Sequence, residues 1–216
     1  MTPRGSAGRL GCMLREPGIR PVGRTDGLRR LTRELDALVA AHTDEHLVAR
    51  RVGALLRPAL YDLALLEPRH QEPADDRYRQ HIVHVHPEGK YSIVALVWKP
   101  GQATPIHDHC CWCVVGVWQG VERESTYDLH ASGVDLRLVR RRTTFTGPGD
   151  VSVLVPPDED IHRVENAGEG IAISLHIYGA DIAVRGSSIN RTFDEELVDV
   201  RAGEASQPAS WRRLAA

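Results

Sequence analysis

The sequence predicts a mainly β domain, a barrel or sandwich of short strands, carrying a helical segment at its N-terminal side. Three observations lead there. From Tyr78 onward, apolar runs of strand length alternate with turn signals: Pro87-Glu88-Gly89, Lys99-Pro100-Gly101, Ala131-Ser132-Gly133, Gly147-Pro148-Gly149 and Asn166-Ala167-Gly168. Gly (19) and Pro (13) are plentiful and aromatic content is only 5%, which suits many tight turns better than a helical bundle. Before Tyr78 the apolar residues recur at helical spacing instead.

Taken in order, residues 1–24 are rich in Gly, Arg and Pro without periodicity, and are expected to be disordered, with Met13 an alternative start. The N-terminus lacks the apolar stretch of a secretory signal. Leu28, Leu31, Leu35, Leu38 and Val39 then mark a first helix with Asp26 as its N-cap. A second helix begins after Asp44, buries Leu47, Val48, Val52, Leu55 and Leu56, and ends near Pro58. A third apolar segment, Leu60 to Leu66, stops at Pro68. Residues 25–70 are thus expected to pack as helices on a barrel formed by 71–191, with 192–216 a loose C-terminal tail. Strands are expected at 79–86, 91–99, 104–109, 112–119, 122–129, 134–140, 151–155, 161–165 and 170–178. Val134, Leu136 and Leu138 alternate with polar residues, as on a half-buried strand.

Composition narrows the function. A formal charge of −2 over 216 residues argues against a nucleic-acid partner held by bulk electrostatics. No apolar run approaches the ~20 residues of a membrane-spanning helix. Of the four cysteines, Cys110, Cys111 and Cys113 crowd together, so a disulfide framework is not expected and the reducing cytoplasm is the expected compartment. Oligomeric state is not legible.

The chemistry concentrates in Thr104-Pro105-Ile106-His107-Asp108-His109. Residues two apart on a strand share a face, so His107 and His109 project together, as two imidazoles must to reach one metal. A third, His162, follows on a later strand. With eleven histidines in the chain, an H-x-H pair alone is weak; the flanks add specificity. Gly101, His107-x-His109, Cys113 and Gly120 match the first cupin motif in spacing, with Cys113 where the usual motif has glutamate. His162 and Asn166 match the end of the second motif, with Glu159 in place of its glycine.

These segments, with Gly149-Asp150-Val151 and Ser174-Leu175-His176-Ile177-Tyr178-Gly179, resemble the cysteine dioxygenase family of small-thiol dioxygenases within the cupins, over roughly Tyr78 to Tyr178. The resemblance implies a cupin double-stranded β-helix (jelly-roll) barrel. It also implies one Fe(II) per chain on His107, His109 and His162, and oxidation of a small thiol by O₂ to a sulfinic acid. Three neutral histidines leave a divalent ion uncompensated and open, which favours an anionic thiolate. Ser174, His176 and Tyr178 alternate on one strand and resemble the family's Ser–His–Tyr relay; in some relatives the residue matching Cys113 is thioether-linked to that tyrosine. For the substrate carboxylate, alternatives stay open. Arg79 would serve a cysteine-using enzyme. Gln80, with Arg185 or Arg191 past the relay strand, resembles the bacterial branch that prefers 3-mercaptopropionate, and the sequence leans that way. Rival readings are another metal-dependent cupin enzyme, or a non-catalytic cupin sensor or binding module. The remaining clusters have plainer expectations. His81, His84 and His86 are solvated or core residues; Trp98, Trp112 and Trp118 pack the barrel, with Trp112 beside the site; Arg140-Arg141-Arg142 is a solvated strand end.

Overall fold

The first helix, α1 (Asp26–Ala41), starts where a side chain can satisfy its orphan amides. The cap is Thr25 rather than Asp26: its hydroxyl accepts from the Leu28 amide at 3.2 Å. Asp26 is instead the first helical residue, where its charge suits the helix N-terminus. Helix α2 (Glu45–Ala59) starts after Asp44 as expected, with the Asp44 carboxylate accepting from the Leu47 amide at 2.7 Å. Pro58 sits in its last turn. Leu60–Leu66 forms turns, not a helix, and leads into a 3-10 turn at Pro68–His70, yet it still buries Leu60, Leu65 and Leu66. The computed structural model describes residues 25–132, 135–157 and 160–199, so the start expected to be disordered (1–24), Val134, Glu159 and most of the expected tail lie outside the described residues.

The strands are β1 (Arg79–Val85), β2 (Ser92–Trp98), β3 (Ile106–His109), β4 (Cys113–Gln119), β5 (Glu122–Ser132), β6 (Asp135–Thr146), β7 (Val151–Leu154), β8 (His162–Asn166), β9 (Ala172–Tyr178), β10 (Ile189–Phe193) and β11 (Val198–Asp199), with a short helix α3 (Ile182–Arg185) after β9. They form two sheets, ordered β1-β2-β9-β4-β7 and β10-β3-β8-β5-β6-β11. All pairings are antiparallel except β11 on β6.

The first sheet is covered on both faces. Ile93, Ala95, Val97, Ile173, Leu175 and Ile177 pack outward against Leu31, Leu35, Val52 and Leu56 of the helices. Val94, Leu96, Trp98, Cys113 and Tyr178 pack inward. This two-sided burial explains why β2 and β9 read as continuous apolar runs rather than an alternation. Helix and sheet approach closely at Gly116, where a Cβ would lie 2.8 Å from both Leu56 and Leu60.

The second sheet departs from expectation in places. Strand β6 continues to Thr146, with Arg140 opposite Tyr127 and Arg142 opposite Thr126. The arginine run therefore lies inside a strand, not at its end, because β5 extends to pair with it. Leu138 is fully buried, whereas Leu136, opposite Ala131 near the hairpin tip, is 49% exposed. Strand β10 was not anticipated; it pairs with β3 and runs across the division expected at 191/192. A 3-10 turn at Glu195–Leu197 and β11 carry ordered chain to Asp199.

Candidate metal centre

Two strands of the second sheet bring the three histidines together. On β3, His107 and His109 share a face, and His107 lies directly opposite His162 of β8. The potential ligand atoms of the three all fall within 4.8 Å of one another, and ring centroids are 4.7–5.0 Å apart. All three side chains are buried.

Each ring is held from behind. His107 Nδ1 is 2.9 Å from the Pro105 carbonyl, His109 Nδ1 2.7 Å from Asp160 Oδ1, and His162 Nδ1 2.8 Å from Glu124 Oε1. An acceptor at Nδ1 fixes the proton there and leaves Nε2 as the free nitrogen. Asp160 also accepts from the His109 amide at 2.7 Å, and Ser152 donates to Glu124 at 3.0 Å. Burial, then the neighbouring His162 and His109, push His107 down to about 2; burial also lowers His109 against the opposing pull of Asp160. Burial pushes Glu124 up, but its hydrogen bond and charge interaction with His162, followed by Ser152 and Arg142, outweigh this and hold it below the usual carboxylate value. Neutral imidazoles with one free nitrogen each are what a divalent ion takes as ligands, so the residues present fit a metal.

Sequence reasoning missed Glu124 and Asp160. Glu124 carried a signal: Glu122 and Glu124 sit two apart on one strand, which places two carboxylates on the same face.

Above the triad lies a cleft lined by Tyr78, Gln80, Leu96, Thr104, the three histidines, Val164, His176, Tyr178, Ser187, Ser188 and Ile189. The predicted relay is assembled on β9: Ser174 Oγ lies 3.0 Å from His176 Nε2, and His176 Nδ1 lies 3.2 Å from the Tyr178 hydroxyl. Burial lowers His176 to about 3, and burial pushes the Tyr178 phenol well above its usual value. Cys113 lies directly opposite Tyr178 across β4 and β9, with its sulfur 4.0 Å from His176 Nδ1.

Of the four residues expected to contact substrate, Gln80 lines the cleft and the arginines do not. Arg79 pairs with Glu72 at the surface. Arg191 turns onto Asp108, Nε to Oδ2 at 2.7 Å, and lies over Phe193; it is 57% exposed. Asp108 sits between His107 and His109 and so faces the opposite side of β3, which draws Arg191 away from the metal. Arg185 is exposed in the last turn of α3. Among the described residues, neither a lysine or arginine nor an acidic residue lines the cleft. Trp112 does not wall it either; the indole packs in the helix-side core. Trp98 does more than fill space: it stacks on Tyr78 at 4.5 Å and donates to Ser174 at 3.2 Å. Among the described residues, no helix is long and apolar enough to cross a membrane.

Residues 69–185 match the family model described as cysteine dioxygenase type I. Solved structures of similar shape include an uncharacterized protein with a double-stranded β-helix domain from Klebsiella pneumoniae, 17% identical, covering 52% of this chain and 80% of that one, TM-score 0.41. A cupin superfamily protein from Desulfitobacterium hafniense is 17% identical, covering 51% of this chain and 84% of that one, TM-score 0.37. Oxalate decarboxylase from Bacillus subtilis is 21% identical over 52% of this chain but only 28% of its own, TM-score 0.39.

Proposed function

Because the chain belongs to the cysteine dioxygenase type I family, we propose that it is a non-haem Fe(II) thiol dioxygenase that converts a small thiol, R–SH, and O₂ to the sulfinic acid R–SO₂H, both oxygen atoms entering the product. The observation that carries this reading is the donor set. Three buried imidazoles converge beneath a cleft, and the sequence has Cys113, a buried thiol, where the usual cupin motif has its glutamate. Fe(II), when bound, supplies open positions for a thiolate and O₂ and a positive charge that no ligand cancels.

The chain's own residues do the rest. Pro105, Asp160 and Glu124 keep the three Nδ1 positions occupied and the rings aimed. Leu96 and Val164 give the cleft an apolar wall, which keeps water from competing at the site. Tyr178 stays a neutral phenol, held by His176, and offers its hydroxyl to the sulfur and oxygen side of the cleft. The substrate's polar tail meets only uncharged partners: Tyr78, Gln80, Ser187 and Ser188. These can bond a carboxylate. An ammonium group finds no anion there, and burying it unpaired is unfavourable. Of L-cysteine and 3-mercaptopropionate, the second is therefore the preferred substrate. Facing placement also suits a Cys113–Tyr178 thioether, whose formation removes one hydrogen from each partner with O₂ as oxidant.

The test is anaerobic Fe(II) loading, followed by O₂ uptake with L-cysteine, 3-mercaptopropionate, cysteamine and a diketone. The expected result is thiol-dependent uptake with a higher kcat/KM for 3-mercaptopropionate. Uptake with no thiol at all removes the proposal, and uptake with the diketone alone replaces it with a carbon-oxidising cupin.

A further inference from the structure

One segment runs from the tyrosine strand to the histidine strand. After Tyr178 ends β9, the chain forms α3, turns back at Gly186 in the left-handed conformation (φ 80°) and returns as β10 on the side of β3 away from β8. On the way it crosses the cleft, where Ser187, Ser188 and Ile189 stand in the lining beside the three histidines. This strap is held at three points. The fully buried Ser92 hydroxyl donates to the Ala180 carbonyl at 2.8 Å and accepts from the Ile182 amide at 3.4 Å. The Cys110 amide donates to the Ser188 carbonyl at 2.9 Å. At the far end Asp108, 5% exposed, holds Arg191 twice: Oδ1 accepts from the Arg191 amide and Oδ2 from its Nε, both at 2.7 Å.

The register explains what that double hold does. Thr192 pairs with His107 and Arg191 with Asp108, so an unbroken ladder would set Asn190 opposite His109; Ile189 stands there instead. Asn190 is taken up in a bulge, and one extra residue reverses the face that the chain before it presents. Ile189 thereby lines the cleft with His109, while Arg191 faces the other way with Asp108. A regular strand would send residues 189 and 191 to the same side. A bulge disrupts the ladder locally, and there Asp108 supplies the acceptor for the Arg191 amide. A carboxylate bound to both the amide and the guanidinium of one residue fixes the place of the bulge as well as the direction of the side chain. The strap also brings a donor: Ser187 Oγ accepts from the Ile189 amide at 3.0 Å, so its own proton remains to be given.

We propose that Asp108 is a positioning residue that sets the selectivity of the cleft: by clamping Arg191 at the β10 bulge, it seats Ser187 and Ser188 over the metal centre as carboxylate donors and keeps the Arg191 guanidinium outside. The clamp stands on the fold alone; the thiol carboxylate that it selects rests on the proposed function.

The experiment uses the full chain loaded with Co(II), without O₂, and reads thiol binding from the sulfur-to-metal charge-transfer absorption. The probes are 3-mercaptopropionate and propane-1-thiol, alike in length and different in the carboxylate. Wild-type protein is expected to prefer the carboxylate. Asp108→Ala and Ser187→Ala are expected to lose roughly tenfold of that preference, as for a lost hydrogen bond to a charged group, with affinity for propane-1-thiol unchanged. Arg191→Ala keeps the backbone amide on Asp108 and is expected to lose less than Asp108→Ala. Amide exchange in the metal-free protein reads the clamp directly: the Arg191 and Cys110 amides are expected to exchange slowly in wild type and faster in Asp108→Ala. A wild type without carboxylate preference, an Asp108→Ala protein whose preference is intact or increased, or equal protection of both amides in the two proteins overturns the proposal. If Asp108→Ala does not fold or take up Co(II), an intact preference in both Arg191→Ala and Ser187→Ala overturns it. Thiol binding with no O₂ uptake by the Fe(II)-loaded protein would sink the proposed function and leave the clamp standing.

Discussion

Glu122 opens β5 and is buried, so Glu122→Gln makes a quantitative statement about stability. In the unfolded chain a glutamate titrates near 4.5, and in the fold Glu122 is raised to about 7. The gap is roughly 2.5 units, and each unit is worth about 1.4 kcal/mol, so the linked free energy is about 3 kcal/mol. The folded state holds the proton more tightly than the unfolded one. Its contribution is therefore fully present below about pH 4.5 and is lost as pH rises through about 7. Glutamine has the shape of the neutral acid and does not ionise, so it escapes that loss. Urea denaturation of both proteins across this range is expected to give similar stabilities at the acid end. At alkaline pH, Glu122→Gln should be the more stable by about 3 kcal/mol. Titrations shared by the two proteins, Glu124 and the histidines included, largely cancel in the difference. A difference that stays flat from the acid to the alkaline end would show that Glu122 ionises normally in the fold.

Three further outcomes are expected. Asp160→Asn keeps the shape around His109 but loses the charge that fixes its Nδ1 proton, and should weaken metal binding by roughly 10–100-fold in a chelator competition; unchanged affinity would mean that Asp160 only braces the loop. Tyr178→Phe should slow or uncouple sulfinate formation with metal content near normal by elemental analysis, and loss of metal would show that the tyrosine acts on the site's architecture. Gly116→Ala places a methyl 2.8 Å from Leu56 and Leu60 and should cost about 1–3 kcal/mol in denaturant unfolding, the usual range for overpacking a helix–sheet contact.

The sequence by itself determined what short-range periodicity can express. Alternation placed His107 with His109, and Ser174 with His176 and Tyr178, on common faces, and turn residues bounded the strands from β1 to β9 closely enough to predict a barrel or sandwich of short strands. The start of α2 after Asp44 was legible because helix entry is settled within about four residues, although the cap of α1 is Thr25 and not the expected Asp26. The tertiary structure decided everything that depends on which strand lies beside which. Glu124 reaches His162 across 38 residues and Asp160 reaches His109 across 51. Nothing local to either carboxylate announces the histidine it will meet. Arg79, Arg185 and Arg191 look equally available in the chain, but Glu72 and Asp108 pair with Arg79 and Arg191, and Arg185 is exposed in the last turn of α3. Strand β10, with one of its five residues apolar at each end and polar residues between, has no local signature; its partner β3 makes it a strand. Backbone periodicity is set by neighbours in sequence, whereas the partner of a buried polar group is set by sheet register and closure, which long-range pairing alone fixes.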